Sequence, residues 1–284
     1  MKTSRLLVLI TVLALISRAE AVLAQIRGGG LVVAPTRVEM TKQSRSVSLS
    51  LINNGNETST YRLKAVNSRM TETGDREIVD GEGLENENFA DKMIRFAPRQ
   101  IRLKPGEQQT VRVMARLPAG LEEGEYRTGL NFQWIPDSAE PEIGSESKEN
   151  ESISVNIQFS YGVTIPVIIR NGDLTATGQI TDLELVIDNN QAKAVITLER
   201  EGNRSLYGDF SAYLVAEDGS KELIQNMRGV AIYVPNTRRI YTLALPYDKV
   251  SSKSISNKRL KVEYREPPNA GGQLIAESII DFKH

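Results

Sequence analysis

The chain has no cysteine, a single histidine and a single tryptophan among 284 residues, and aromatic side chains make up only 6% of it. Its one histidine, His284, is the final residue. Zinc sites of the His/Cys kind and Ser-His or Cys-His nucleophilic catalysis are therefore not expected. Without thiols there is no disulfide framework, and stability has to come from packing. Phosphate-cradling loops are missing too: Gly28-Gly29-Gly30 has no following lysine and leads into a strand-like run. Acidic residues are plentiful, but none stands beside an aromatic-rich segment of the kind that lines a sugar cleft. The expectation is a protein that is not an enzyme and that carries neither cofactor nor metal.

Long apolar runs are also scarce. Residues 6–16 form one, broken only by Thr11, and Lys2 and Arg5 precede it while Ala19, Ala21 and Ala24 follow. That order of charge, short apolar run and small residues reads as a secretory signal peptide over residues 1–24, too short to span a bilayer as a helix, with cleavage after Ala21 or Ala24. No later stretch has the length and apolarity of a membrane-spanning helix, so export without membrane insertion is expected. Losing Lys2, Arg5, Arg18 and Glu20 moves the net charge from −1 to about −3, which argues against nucleic acid as a partner. The remaining length suits two domains, each with its own core.

What is present is β-pattern. Short runs rich in Val, Ile, Leu, Thr and Tyr alternate with turn residues, and no stretch sustains helical periodicity, so an all-β chain of two sandwiches is expected. The first half offers strands at 46–52, 58–66, 93–97, 100–103, 110–117 and 127–135, with Asn53-Asn54-Gly55-Asn56 read as a hairpin turn and Pro105-Gly106 standing between the runs at 100–103 and 110–117. Residues 137–151 then break the pattern, setting Asp137, Glu140, Glu142, Glu146, Glu149 and Glu151 against Lys148, as expected of a solvated loop. After Asn171-Gly172-Asp173 come eight further strand-like runs, at 183–187, 193–198, 209–215, 222–224, 231–234, 239–245, 260–264 and 273–282. The expected division is a leader to residue 24, a first domain over 25–170 and a second over 171–284.

The most informative segment is 153–169, where every second residue is apolar or aromatic: Ile153, Val155, Ile157, Phe159, Tyr161, Val163, Ile165, Val167 and Ile169. That is the period of a strand with one buried face. Extended, it would reach roughly 55 Å, far beyond the usual five or six residues of a strand. Either the strand bends from one domain into the next, or part of its apolar face serves something other than its own core. An edge strand with a spare apolar face is a hazard unless a partner uses it, and the matching recognition mode is strand addition.

Several segments resemble one family. Val33-Ala34-Pro35-Thr36-Arg37-Val38, the run Phe96-Ala97-Pro98-Arg99-Gln100-Ile101-Arg102-Leu103-Lys104-Pro105-Gly106-Glu107 with Thr110-Val111-Arg112-Val113, and Glu123-Gly124-Glu125-Tyr126-Arg127 leading to Trp134-Ile135-Pro136 are together similar to the PapD-like periplasmic chaperones of the chaperone-usher pilus pathway. The resemblance covers essentially the whole mature chain and is clearest in its first half. It implies two immunoglobulin-like β-sandwich domains, a periplasmic location, pilus or fimbrial subunits and an outer-membrane usher as partners, and donor-strand complementation as the mechanism. Ile153, Val155, Ile157 and Phe159 then become the subunit-binding donors, the other reading being ordinary core residues of the first sandwich. The resemblance also implies two basic residues that anchor a subunit. Arg37 fits the first, or else forms a structural salt bridge; Pro166 stands at the place of the second and has neither charge nor N–H. Arg170 is the nearest substitute, its alternative being a solvated residue between the domains. A pilin-like structural subunit or surface adhesion subunit is the competing function.

Overall fold

The computed structural model describes residues 30–84, 86–136, 161–251, 255 and 257–282. The leader, the acidic loop 137–151, His284 and the four donor candidates Ile153, Val155, Ile157 and Phe159 lie outside the described residues. No helix among those described is long and apolar enough to cross a membrane.

Eleven strands make the first part: β1 (Leu31–Ala34), β2 (Val38–Met40), β3 (Ser46–Asn53), β4 (Ser59–Val66), β5 (Ser68–Met70), β6 (Arg76–Ile78), β7 (Ile94–Ala97), β8 (Gln100–Leu103), β9 (Gln108–Ala115), β10 (Gly124–Ile135) and β11 (Gly162–Asn171). They form one sheet in the order β1-β3-β9-β7 and a second in the order β2-β11-β10-β4-β8, with β5 and β6 as a separate hairpin. Alternation explains the layering. Leu49 and Leu51 of β3, Val111 and Val113 of β9, Leu130 and Phe132 of β10, and Val163, Ile165, Val167 and Ile169 of β11 all turn inward to a single core.

A second sandwich follows, with β12 (Ala176–Asp188), β13 (Gln191–Gly202), β14 (Leu206–Ala216), β15 (Lys221–Ile232), β16 (Arg238–Leu245), a single helical turn α1 (Tyr247–Val250), β17 (Lys258–Arg265) and β18 (Leu274–Asp281). Its sheets run β12-β13-β16 and β15-β14-β17-β18, and its core is built around Ile196, Phe210, Leu243, Val262 and Tyr264. The chain is thus all-β, two sandwiches in series.

Two local expectations need correction. The segment 53–56 is not a hairpin turn, because β3 and β4 belong to opposite sheets. Asn53 is fully buried there and holds a crossing instead: its Nδ2 donates to the carbonyls of Glu57 (2.7 Å) and Leu103 (3.0 Å), and its Oδ1 accepts the Gly55 N–H at 2.9 Å. The runs 222–224 and 231–234 belong to one region rather than two strands, since β15 continues to Ile232 through a register shift opposite Gly208 and Phe210, where Gly229 takes φ +76°. A two-residue hairpin does occur between β12 and β13, where Asn189 and Asn190 both have positive φ and Asp188 faces Gln191.

Candidate functional site: the face of the first sandwich turned to the second

Strand β11 lies between β10 and β2, but β2 runs parallel to it only from Val167 to Ile169. Over Gly162 to Pro166 it pairs with β10 alone among the described residues. The ladder continues one residue further, where the Trp134 N–H donates to the Tyr161 carbonyl at 3.0 Å. Pro166, unable to donate, stands opposite Gly129 of β10 and just before the β2 pairing starts, so its missing N–H breaks no described ladder bond to β2.

The alternation that sends Val163, Ile165, Val167 and Ile169 into the core sends Thr164, Pro166, Ile168 and Arg170 to the opposite face. Cross-strand neighbours on that face are Glu39 and Arg127 beside Ile168, Glu125 beside Arg170, and Gly129 beside Pro166. Ile168 is fully buried although it is not part of the first core. The face is covered, and what approaches it is the second sandwich.

Charges run across this face as a chain. Arg37 Nε is 2.6 Å from Glu39 Oε1, Glu39 Oε2 is 2.7 Å from Arg170 Nη1, and Arg170 Nε is 3.0 Å from Glu125 Oε2. Burial pushes the Glu39 carboxyl upward, but Arg37 and Arg170 outweigh it and hold Glu39 below the usual carboxylate range. Glu125 then crosses to the second sandwich, accepting the Ser205 N–H at 3.1 Å and also the Ser205 hydroxyl. Ser205 Oγ in turn accepts the Val234 N–H at 3.0 Å. Arg170 is therefore not the solvated residue its alternative supposed; it joins two acids on two strands.

Arg37, the one subunit-binding candidate inside the described residues, has a side chain only 9% exposed. Its guanidinium carbon sits 4.3 Å above the Tyr207 ring and 5.5 Å above the Tyr233 ring, and Nη1 donates to the Tyr233 hydroxyl at 3.1 Å. Nη2 is buried without a hydrogen-bond partner. Arg127, from β10, lies against Tyr233 as well, 4.4 Å from the ring centroid. Neither tyrosine was singled out in the sequence. Tyr233 lies 196 positions from Arg37, and nothing in either local pattern pairs them.

The β5–β6 hairpin braces the same interface. Asn236 Nδ2 donates to the Met70 carbonyl at 2.6 Å, and the Ile240 N–H donates to the Glu72 carbonyl at 2.8 Å. Gly74 allows the Arg239 guanidinium to lie directly on the hairpin backbone, since a Cβ there would fall 2.3 Å from Nη2. At the far end of β11, Trp134 and Tyr161 stack with centroids 4.9 Å apart and planes 8° apart. They line a cleft of about 460 Å³ together with Ile135, Pro136 and the segment 55–59. Among the described residues no group of three or more His, Cys, Asp or Glu side chains could hold a metal ion.

Residues 38–135 match the family model of an Fn3-like domain. No curated protein matches the sequence. Among solved structures, the CupB2 chaperone of Pseudomonas aeruginosa is 12% identical, with 88% of this chain and 100% of that one covered and a TM-score of 0.42. The SafB chaperone, solved in complex with the Salmonella enterica SafA pilin, is in a match of 14% identity covering 90% of this chain and 98% of the other at a TM-score of 0.38. A pre-assembly complex of the CsuC chaperone and the CsuE tip adhesion subunit, from archaic chaperone-usher Csu pili of Acinetobacter baumannii, matches at 12% identity over 72% of this chain and 90% of the other, with a TM-score of 0.36.

Proposed function

We propose that this chain is a periplasmic chaperone that captures pilus or fimbrial subunits by donor-strand complementation and delivers them to an outer-membrane usher, without catalysis or cofactor. The observation that carries this reading is the asymmetry of β11. Its Val163–Ile169 half fills the core of the first sandwich, while the residues preceding Val167 have no described partner on the β2 side. The same apolar alternation continues upstream through Phe159, Ile157, Val155 and Ile153, which in this reading are the side chains lent to the subunit. Fully burying four such side chains contributes roughly 6 to 12 kcal/mol before the cost of ordering both partners. Arg37 stands at the interface between the sandwiches as the anchor on the first domain.

Co-expression of the chain with a candidate subunit tests it. The expected product is a soluble one-to-one complex that is lost with Ile157→Asp or Phe159→Asp while the variants keep the wild-type Tm. Undiminished complex recovery from both variants would overturn the donor assignment, and fibres assembled from this chain alone would replace the chaperone reading with a structural subunit. Arg37→Ala should weaken the complex as well. If it lowers only the Tm, Arg37 belongs to the domain interface and not to the anchor.

A further inference from the structure

Antiparallel strands bond in alternation, so that only every second facing pair exchanges its backbone groups. The Trp134 N–H that reaches the Tyr161 carbonyl sets this phase for β10 and β11. Odd-numbered residues of β11 therefore turn N–H and C=O toward β10, and even-numbered ones turn theirs to the opposite side. Arg127 agrees from across the ladder. It faces Ile168, yet its N–H donates to the Asn88 carbonyl at 2.9 Å and its C=O accepts the Ala90 N–H at 3.1 Å, both away from β11.

On the opposite side β2 takes up part of what β11 offers. The parallel register that sets Val167 beside Val38, Ile168 beside Glu39 and Ile169 beside Met40 gives the Pro166 carbonyl to the Val38 N–H and both backbone groups of Ile168 to β2. The next bond toward the start of β2 would run from the N–H of residue 166 to the Thr36 carbonyl. Pro166 has no N–H to give it. At this point the chain leaves β11: residues 35–37 cross to the other sheet, where Leu31–Ala34 pairs with β3 and Leu31 and Val33 are fully buried. Carried on in the register of β2, residues 33–37 would instead lie beside 162–166. Among the described residues the N–H and C=O of Gly162 and of Thr164 are thereby left on an open edge.

We infer that Pro166 is a positioning residue for strand addition: it ends the β2 ladder and makes Thr164 the last residue of β11 that a partner's strand can bond. Open edges are a liability that proteins limit explicitly, and a proline on the edge is one such limit. Here the proline acts against the chain's own β2, whose extension would set Thr36 beside Ile165 and close the edge from within. Gly162 is exposed and Thr164 half-buried, as an accessible edge requires. The inference rests on the strand-addition reading and deepens it. It also gives Pro166, standing where the resemblance implies a basic residue, a task that does not depend on charge.

The test uses the full chain and amide hydrogen exchange read residue by residue. In the free wild-type chain the Gly162 and Thr164 amides should exchange at least about 100-fold faster than those of Val163 and Ile165, and should gain protection in the complex with the co-expressed subunit. In Pro166→Ala the amide created at position 166 should be protected like that of Ile168. Capture of the same subunit should slow at least about threefold, the scale of one added hydrogen bond, because Thr36 then competes for the place beside Ile165, while the Tm stays unchanged or rises. A protected Thr164 amide in the free wild-type chain would overturn the inference, as would an amide at position 166 that exchanges as fast as that of Thr164, or an unchanged capture rate. Slower capture accompanied by a lower Tm would show a structural role in its place. Failure of the strand-addition reading looks different: the wild-type chain captures no subunit, while the alternating exchange pattern persists and position 166 still becomes protected in the variant.

Discussion

Glu125, on the first sandwich, and Ser205, on the second, meet across 80 positions of sequence in a buried contact where the carboxylate accepts both the backbone N–H and the hydroxyl of the serine. Glu125 is 2% exposed, Ser205 is likewise 2% exposed, and Arg170 bonds the same carboxylate from the first sandwich. One side chain thereby ties the end of β11 to the second domain.

Ser205→Ala removes the hydroxyl that links Glu125 to the Val234 N–H and is expected to destabilise the chain by about 2 kcal/mol, the scale of a hydrogen bond to a charged group. Glu125→Ala leaves Arg170 Nε and the Ser205 N–H without their acceptor while Glu39 still pairs with Arg170 Nη1, and a loss of about 2 kcal/mol is expected, the scale of hydrogen bonds to a charged group. Urea denaturation measures both. Losses below about 0.5 kcal/mol, the range of ordinary surface changes, would show that the contact does not fasten the domains.

Acid stability should depend on Glu263 of β17. Its side chain is 4% exposed and within 3.0 Å of Lys221 and Lys261 and 2.9 Å of Arg265. Burial pushes the carboxyl upward, but Arg265, Lys261 and Lys221 prevail and bring its pKa from 4.5 down to about 2. A carboxylate whose pKa is depressed on folding binds protons more readily in the unfolded chain. Its contribution is complete above about pH 4.5 and disappears as the pH falls through about 2. The expected size is of the order of 3 kcal/mol. Glu263→Gln should flatten the stability profile between those two pH values, and a profile parallel to wild type would contradict it.

Strand patterning was the most legible part of the sequence because a sheet with one buried face writes itself as a two-residue period. Leu49 and Leu51, Val111 and Val113, and Val163 to Ile169 all point where that period places them. The failures have local causes. At 53–56 the Asn-Gly pair looked like a hairpin turn, but the Asn53 side chain had taken up backbone groups from two other segments. In β15 a polar stretch ending at Gly229 looked like a gap between strands because the bulge suspends the alternation there. The charged interface was hardly legible at all. Glu39, Arg127 and Arg170 each sit on a strand's outward face, where a lone charge usually means solvent, and Arg170 meets Glu39 only after 131 positions of chain. The Glu125-x-Arg127 spacing was the one available signal, since it puts both charges on the face opposite the core.

Gly202, at the end of β13, is the glycine least able to change. It takes φ +99°, and a Cβ would stand 2.3 Å from the Thr175 carbonyl oxygen, which is backbone and cannot swing aside. Gly202→Ala should therefore lose at least about 2 kcal/mol through strain and displacement together. Gly219, with φ +84° but nothing within 4 Å of its Cβ position, provides the comparison. Gly219→Ala should lose only about 1 kcal/mol, the conformational part alone. Equal losses at the two sites, measured by chemical denaturation, would remove the steric argument.

The two halves of the alternating strip should separate experimentally. Ile165 is fully buried and faces Leu130 across the β10–β11 ladder, so Ile165→Ala leaves a cavity and is expected to lower stability by about 2 to 5 kcal/mol. The same truncation at Ile157, a proposed donor, should leave the Tm within the range of a surface change while weakening subunit capture. Chemical denaturation and complex recovery, applied to both variants, distinguish the roles. If Ile157→Ala destabilises the free chain as much as Ile165→Ala does, Ile157 is a core residue of the first sandwich, and the strip has no half to lend.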